Sequence, residues 1–334
     1  MIKEITNKLI KNEEINFIEL REVFDEIFSG LADEIQTTSF ITALSSSNLS
    51  DEALLASLAS SEDIVKFPIN FDKESAIQNI FLTNQENIID IQLAIDIICC
   101  ANNLNISRYS ISNQDNYIFK NAKALGINLN KEVDYNCIDF EKLNFNYFYL
   151  SNENPYFKYS QKIENKLSFE NILNTTTRLL NPLSIKNLFL GVNDKNLVEK
   201  YANIALKLNK SNSIILAGDN NTPFISPNGE TYIAEAWKNK IFTYILTPDL
   251  LGFKENSLDE LKISSKEENA SALVEIFENK LKNPKYDSII LNSALSLYIS
   301  KKADSIISGI ELAKKTIETG LALEKLNQIK KFYE

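Results

Sequence analysis

Histidine is absent from this chain, which excludes imidazole general bases, histidine-activated nucleophiles and histidine metal sites. Glycine is scarce at eight residues, and none lies between Gly30 and Gly126. That long stretch therefore has no residue that lets backbone amides close in on a phosphate without a side chain in the way. Of the three cysteines, Cys99 and Cys100 are adjacent and Cys137 stands alone, giving neither a disulfide framework nor metal-ligand spacing and fitting a reducing cytoplasm. No apolar run reaches the roughly 20 residues a membrane span needs. The opening MIKEITNKLIKNEE alternates charges with isolated aliphatics, so neither a secretory signal nor an anchor is expected. Excess positive charge is missing too: the formal charge of −10 works against a polyanionic partner.

What is present is ordinary globular material, 44% hydrophobic and 24% charged, at a length of 334 residues that suggests two domains. The first 67 residues read as helices only. Ile5, Leu9 and Ile10 are expected on one face. Asn16 with Glu19 and Asp33 with Gln36 mark capped helix starts, Ser50 with Asp51 and Glu52 another, and Gly30 a stop. After Phe67-Pro68 the pattern changes to β-prone runs at 76–82, 145–150, 186–192, 213–217 and 240–246. Helical stretches at 90–102 and 195–208 lie between them. This alternation predicts an α/β domain with a mostly parallel central sheet flanked by helices. Residues 155–182 carry no strand signal and read as helices that rejoin the N-terminal ones. The expected division is a discontinuous helical domain of 1–67 plus about 155–182 and an α/β domain of 68–154 plus 183–334. Further on, Thr247-Pro248, Ser257 with Glu260, and Ser265 with Glu268 punctuate helix starts, and Gly252 and Gly320 helix ends.

The C-terminal text LTPDLLGFKENSLDELKISSKEENA (246–270) and DSIILNSALSLYISKKADSIISGIELAKKTIETGLALEKL (287–326) resembles the end of anthranilate phosphoribosyltransferases and their nucleoside-phosphorylase relatives. So do NPYFK (154–158), LLNPLSIKNLFLGV (179–192) and ALGINL (124–129). The resemblance implies a small helical domain joined to a large α/β domain with a ligand cleft between them, a homodimer through the helical domain, and transfer of a phosphoribosyl group to anthranilate with magnesium as helper.

The motifs that such a reaction needs are altered. The family's Gly-Thr-Gly-Gly-Asp phosphate cradle falls on Asn79-Ile80-Phe81-Leu82-Thr83, and its Lys-His-Gly-Asn-Arg motif on Ile106-Ser107-Arg108-Tyr109-Ser110, where Arg108 takes the glycine position. The arginine that meets the anthranilate carboxylate falls on Glu164, and the Asp-Glu pair that holds magnesium falls on Pro223-Phe224. Neither of these last two side chains offers an oxygen to a hard cation. Asp219, nearby, matches another family position and reads as a solvated carboxylate. Codon bias could thin out glycine and arginine, but it does not explain proline in place of a carboxylate.

The primary reading is a catalytically degenerate relative, cytoplasmic and dimeric, that binds a protein or an unidentified small ligand, with no metal site and no cofactor predicted. The enzyme alternative is a glycosyltransferase or phosphoribosyltransferase site rebuilt for another donor or acceptor from Asn87, Arg108, Lys158, Asn174 and Arg178. A nucleic-acid-binding relative of the same fold ranks third. The lysine pairs at 301–302, 314–315 and 330–331 have acidic residues interspersed, and no membrane role is expected. The dense aromatic stretch of Phe145, Tyr147, Phe148, Tyr149, Tyr156, Phe157 and Tyr159 suits either a plug of the former cleft or a ligand platform; core packing is expected of its strand residues, and Phe157 and Tyr159 are the two that would tell a filled cleft from a remodelled one.

Overall fold

The computed structural model describes residues 1–47, 50–65, 72–82, 87–110, 117–129, 143–149, 157, 161–163, 166–167, 169–210 and 212–334. The chain divides into two compact units, one of Met1–Pro68, Tyr109–Ser112 and Phe148–Ser184, the other of Ile69–Arg108, Asn113–Tyr147 and Ile185–Glu334.

The first unit is helical: α1 (Ile2–Lys11), α2 (Phe17–Phe28), α3 (Glu34–Ser45), α4 (Ser50–Ile64) and, from the returning segment, α7 (Ile172–Leu179). Two starts are fixed by reciprocal capping boxes. Asn16 accepts from the Glu19 amide while Glu19 returns a bond to the Asn16 amide, and Asp33 does the same with Gln36. Ile5, Leu20, Val23, Phe24, Ile27, Phe40 and Ile41 are buried together, and Ile163 and Leu173 of the returning segment join them. One expectation is corrected here. Ile5 and Leu9, four residues apart, face the core, but Ile10 lies a further 100° round the helix and is 68% exposed.

The second unit is built on a seven-stranded sheet of order β3-β2-β1-β4-β5-β6-β7. Its strands are β1 (Ala76–Phe81), β2 (Asn105–Ser110), β3 (Phe145–Tyr149), β4 (Asn187–Gly191), β5 (Asn212–Gly218), β6 (Thr231–Trp237) and β7 (Lys240–Leu246). β1 pairs in parallel with β2 and β4, and β4 with β5; β6 runs antiparallel to both β5 and β7. Every residue of β4 and β5 is buried, as central strands covered on both faces must be. The flanking helices are α5 (Ile91–Ala101), α6 (Tyr117–Ala124), α8 (Val198–Lys207), α9 (Lys266–Phe277), α10 (Pro284–Ile299), α11 (Ile306–Glu318) and α12 (Leu321–Tyr333). α5 is buried nearly all round, and Asp90 caps it by accepting from the Leu93 amide. β2 and β6 carry no clear strand signal in the sequence, and the starts expected at Pro248 and Ser257 become short 3₁₀ turns.

Candidate functional site

In a mostly parallel sheet, ligands collect where the strands end at their carboxyl edge. Here that edge is formed by Phe81 of β1, Gly191 of β4 and Gly218 of β5. The end of β1, where the resemblance puts the phosphate cradle, is still strand. Asn79, Ile80 and Phe81 stand in register with Phe189, Leu190 and Gly191, and the Leu82 amide donates to the Gly191 carbonyl at 2.9 Å. These backbone groups belong to a sheet ladder and do not form an open turn of converging amides. Residues 83–86 lie outside the described residues.

The loop after β5, AGDNNTPFIS, folds inward over this edge. The Gly218 amide donates to the Thr222 carbonyl at 2.9 Å and the Thr222 amide back to Gly218 at 3.2 Å, which turns the chain sharply. Pro223 is buried and its carbonyl presses on β4: a Cβ added to Gly191 would lie 1.8 Å from that oxygen. Phe224 is 1% exposed, and its ring centroid is 6.3 Å from that of Phe81, which is itself 6.0 Å from Phe189. The Ile225 amide donates to the Asn292 side chain of α10 at 3.0 Å, and the Ser226 amide to the Thr231 hydroxyl at 2.9 Å. The position where magnesium ligands are expected thus holds a buried proline and a buried phenylalanine, which do not fit a hard cation. Asp219 is exposed but engaged: its carboxylate accepts the Glu230 amide at 2.9 Å and closes the loop against Gly229. Among the described residues no group of three carboxylate or cysteine side chains converges as a metal site.

Arg108 is not a surface cation. It is 6% exposed on β2, and its Nε donates to Asp96 of α5, which is fully buried. Asp96 also accepts from the Asn79 amide at 2.8 Å, and Ser296 of α10 donates to the Asn79 oxygen at 2.9 Å. Burial is the larger influence on the Asp96 carboxyl and pushes it above the ordinary carboxylate value, against the pull of the Arg108 guanidinium and the Asn79 amide. The guanidinium stays charged with Asp96 at its side. Among the described residues its Nη2 has no hydrogen-bond partner. The motif's next residue, Tyr109, donates its hydroxyl to the carbonyls of Leu180 and Arg178 at the end of α7. Burial pushes that phenol well above its usual range. Burial likewise raises the Cys99 and Cys100 thiols, so neither is a ready nucleophile.

The other candidates are locally engaged. Asn87 sits exposed in a turn, where its carbonyl accepts from the Ile263 amide at 3.0 Å. The Asn174 side chain accepts from the Asn171 amide at 2.9 Å and completes the capping box of α7. Arg178 makes two 3.1 Å bonds to Glu170. Lys158, Glu164, Tyr156 and Tyr159 lie outside the described residues. Phe157 is a core residue of the helical unit, 1% exposed, its ring 6.3 Å from that of Phe28. The residues that decide this edge are Gly191 and Asn292, which meet Pro223 and Ile225, and Phe189, whose ring backs Phe81; only these spatial contacts reveal them, because the sequence marks them as ordinary strand and helix.

Two family models match this chain: a glycosyl transferase α/β domain over residues 121–323 and a glycosyl transferase helical bundle domain over residues 3–59. The chain belongs to this glycosyl transferase family. Within it, the likeness is to anthranilate phosphoribosyltransferase. The sequence is 27% identical to that enzyme from Lacticaseibacillus paracasei over an alignment of 336 positions, gaps included, that covers 99% of this chain and 97% of the relative. In structure it superposes on anthranilate phosphoribosyltransferase from Thermus thermophilus with a TM-score of 0.86 at 19% identity, covering 98% of each chain. Against the Saccharomyces cerevisiae enzyme, solved in complex with PRPP and Mg, the TM-score is 0.84 at 22% identity over 98% of this chain and 96% of that one. Residues 60–120, which contain β1, α5 and β2, fall in neither matched span.

Proposed function

We propose that this chain keeps the anthranilate phosphoribosyltransferase scaffold but has given up binding of phosphoribosyl pyrophosphate and magnesium, and that it acts by binding a protein or another small ligand. One observation carries the proposal. Pro223 and Phe224, on which the resemblance puts the family's metal-holding carboxylates, are packed into the end of the sheet against Gly191 and Phe81. The strand pairing of Asn79–Phe81 and the commitment of Arg108 to Asp96 support it. A rebuilt transferase finds less support, since Arg108, Asn174 and Arg178 each serve a local interaction. Calorimetry with phosphoribosyl pyrophosphate and magnesium tests the proposal. No binding heat is expected, and saturable micromolar binding would refute it.

The proposal includes self-association through the helical unit and a place in the cytoplasm. Ile10 at 68%, Leu31 at 79% and Ile35 at 79% exposure leave large aliphatic surface along α1, α3 and the turn before α3. Among the described residues no helix is long and apolar enough to cross a membrane.

A further inference from the structure

The last strand of the sheet, β7, carries few of the devices that keep sheet edges from pairing. Such edges are ordinarily blunted by proline, by a bulge, by inward charges or by brevity. β7 is seven residues long, has no proline or glycine, and pairs with β6 over seven consecutive register positions from Thr231↔Leu246 to Trp237↔Lys240 without a bulge. Lys240 at its start is its one charge. β6 covers one side of it and α8 touches one face. Its outer edge closes the strand order, and side chains are exposed on both faces, Phe242 at 49% on one and Ile245 at 46% on the other.

The strand's own sequence suits one occupant. Ile241-Phe242-Thr243-Tyr244-Ile245 reads the same in both directions by side-chain class. If a second β7 lies antiparallel with Thr243 opposite Thr243, then Phe242 meets Tyr244 twice on one face and Ile241 meets Ile245 twice on the other. Cross-strand pairs of aromatic, β-branched and threonine residues are those that stabilise antiparallel sheets. The ends complement each other as well. Lys238, whose ammonium lies 4.2 Å from the Trp237 ring centroid, comes opposite Pro248 and beside the exposed Asp249 of the other copy. Tyr244 is already held by a hydrogen bond to Glu235 at 3.4 Å, and that carboxylate also accepts from Tyr298 at 3.0 Å.

We propose that β7 is an isologous contact between two copies of this chain, paired antiparallel about Thr243, so that two seven-stranded sheets become one. This contact is separate from the helical unit and independent of whether the ancestral site binds anything. A residue on the two-fold axis meets itself, which gives a specific test. Thr243 is exposed, so Thr243→Lys leaves the fold intact and sets like charges face to face. In sedimentation velocity the Thr243→Lys protein is expected at half the wild-type mass or less, whatever the helical unit contributes. Thr243→Cys, in a Cys137→Ser background, is expected to form a disulfide-linked pair under mild oxidation. Opposed Cα atoms in an antiparallel pair lie about 4.5–5.5 Å apart, within disulfide reach. Ser271→Cys, exposed on α9, is the control. Equal masses for wild type and Thr243→Lys, or cross-linking at position 243 no faster than at 271, would overturn the proposal.

Discussion

Replacing Phe224 by alanine separates a loop residue that lines an open cleft from one that forms the core of the sheet's edge. The side chain is 1% exposed and packs against Phe81. A buried phenylalanine removes about 150–250 Å² from water, which at about 25 cal/mol per Å² corresponds to roughly 4–6 kcal/mol as an upper bound. Truncation leaves the alanine carbon and allows some collapse, so the expected loss is about 3–5 kcal/mol. The chain's single tryptophan, Trp237, lies on β6 in the same unit, so its fluorescence during urea unfolding reports on the right transition. The Phe224→Ala midpoint should fall with the slope unchanged. A loss of no more than about 0.5 kcal/mol, the range of ordinary surface substitutions, would show that the loop is not packed as described and would remove the main support for an abandoned metal site.

Gly191→Ala should leave little folded soluble protein, because the new methyl would lie 1.8 Å from the Pro223 carbonyl; a normal yield with wild-type circular dichroism would contradict this. Arg108→Ala strands a buried Asp96 and is expected to cost about 3–5 kcal/mol in the same urea assay. Arg178→Ala, in the helical unit, breaks a pair with an exposed Glu170 and should cost no more than about 1 kcal/mol when urea unfolding is followed by circular dichroism. Equal effects at the two arginines would sink the distinction drawn between them. In the helical unit, Lys166 and Lys162 hold the Glu34 carboxyl below its usual value, and Lys8 with the Asn16 amide does the same for Glu19. Their stabilisation is therefore present above the ordinary glutamate value and is lost as pH falls through the lowered folded one. The Glu19→Gln/Glu34→Gln protein should show a flatter fall in urea midpoint between neutral pH and about pH 3; an unchanged slope in pH would refute the assignment.

Much of the scaffold can be read locally. The capping pairs Asn16 with Glu19 and Asp33 with Gln36 occur where the residue types demand them, and the apolar run at Ile214–Leu216 is a central strand. β2 is different: NISRYS presents Ser107 and Arg108 to the interior, and a buried arginine is tolerable only because Asp96, on another element, neutralises it. Its strand character therefore depends on a partner that local pattern does not reveal. Asn174 and Arg178 illustrate the same limit, since residue type suits either ligand binding or local bonding, and only spatial neighbours choose.

The sequence by itself determined the family scaffold, the placement of most helices and strands, and which residue types stand at 79–83, 106–110 and 223–224, because these follow from residue identity and spacing along the chain. The tertiary structure decided what became of those positions. Pro223 and Phe224 are buried because Gly191 gives room for a carbonyl and Phe81 offers a ring, and Arg108 is a core cation because Asp96 lies against it. Burial and pairing depend on groups distant in sequence that folding brings within contact distance.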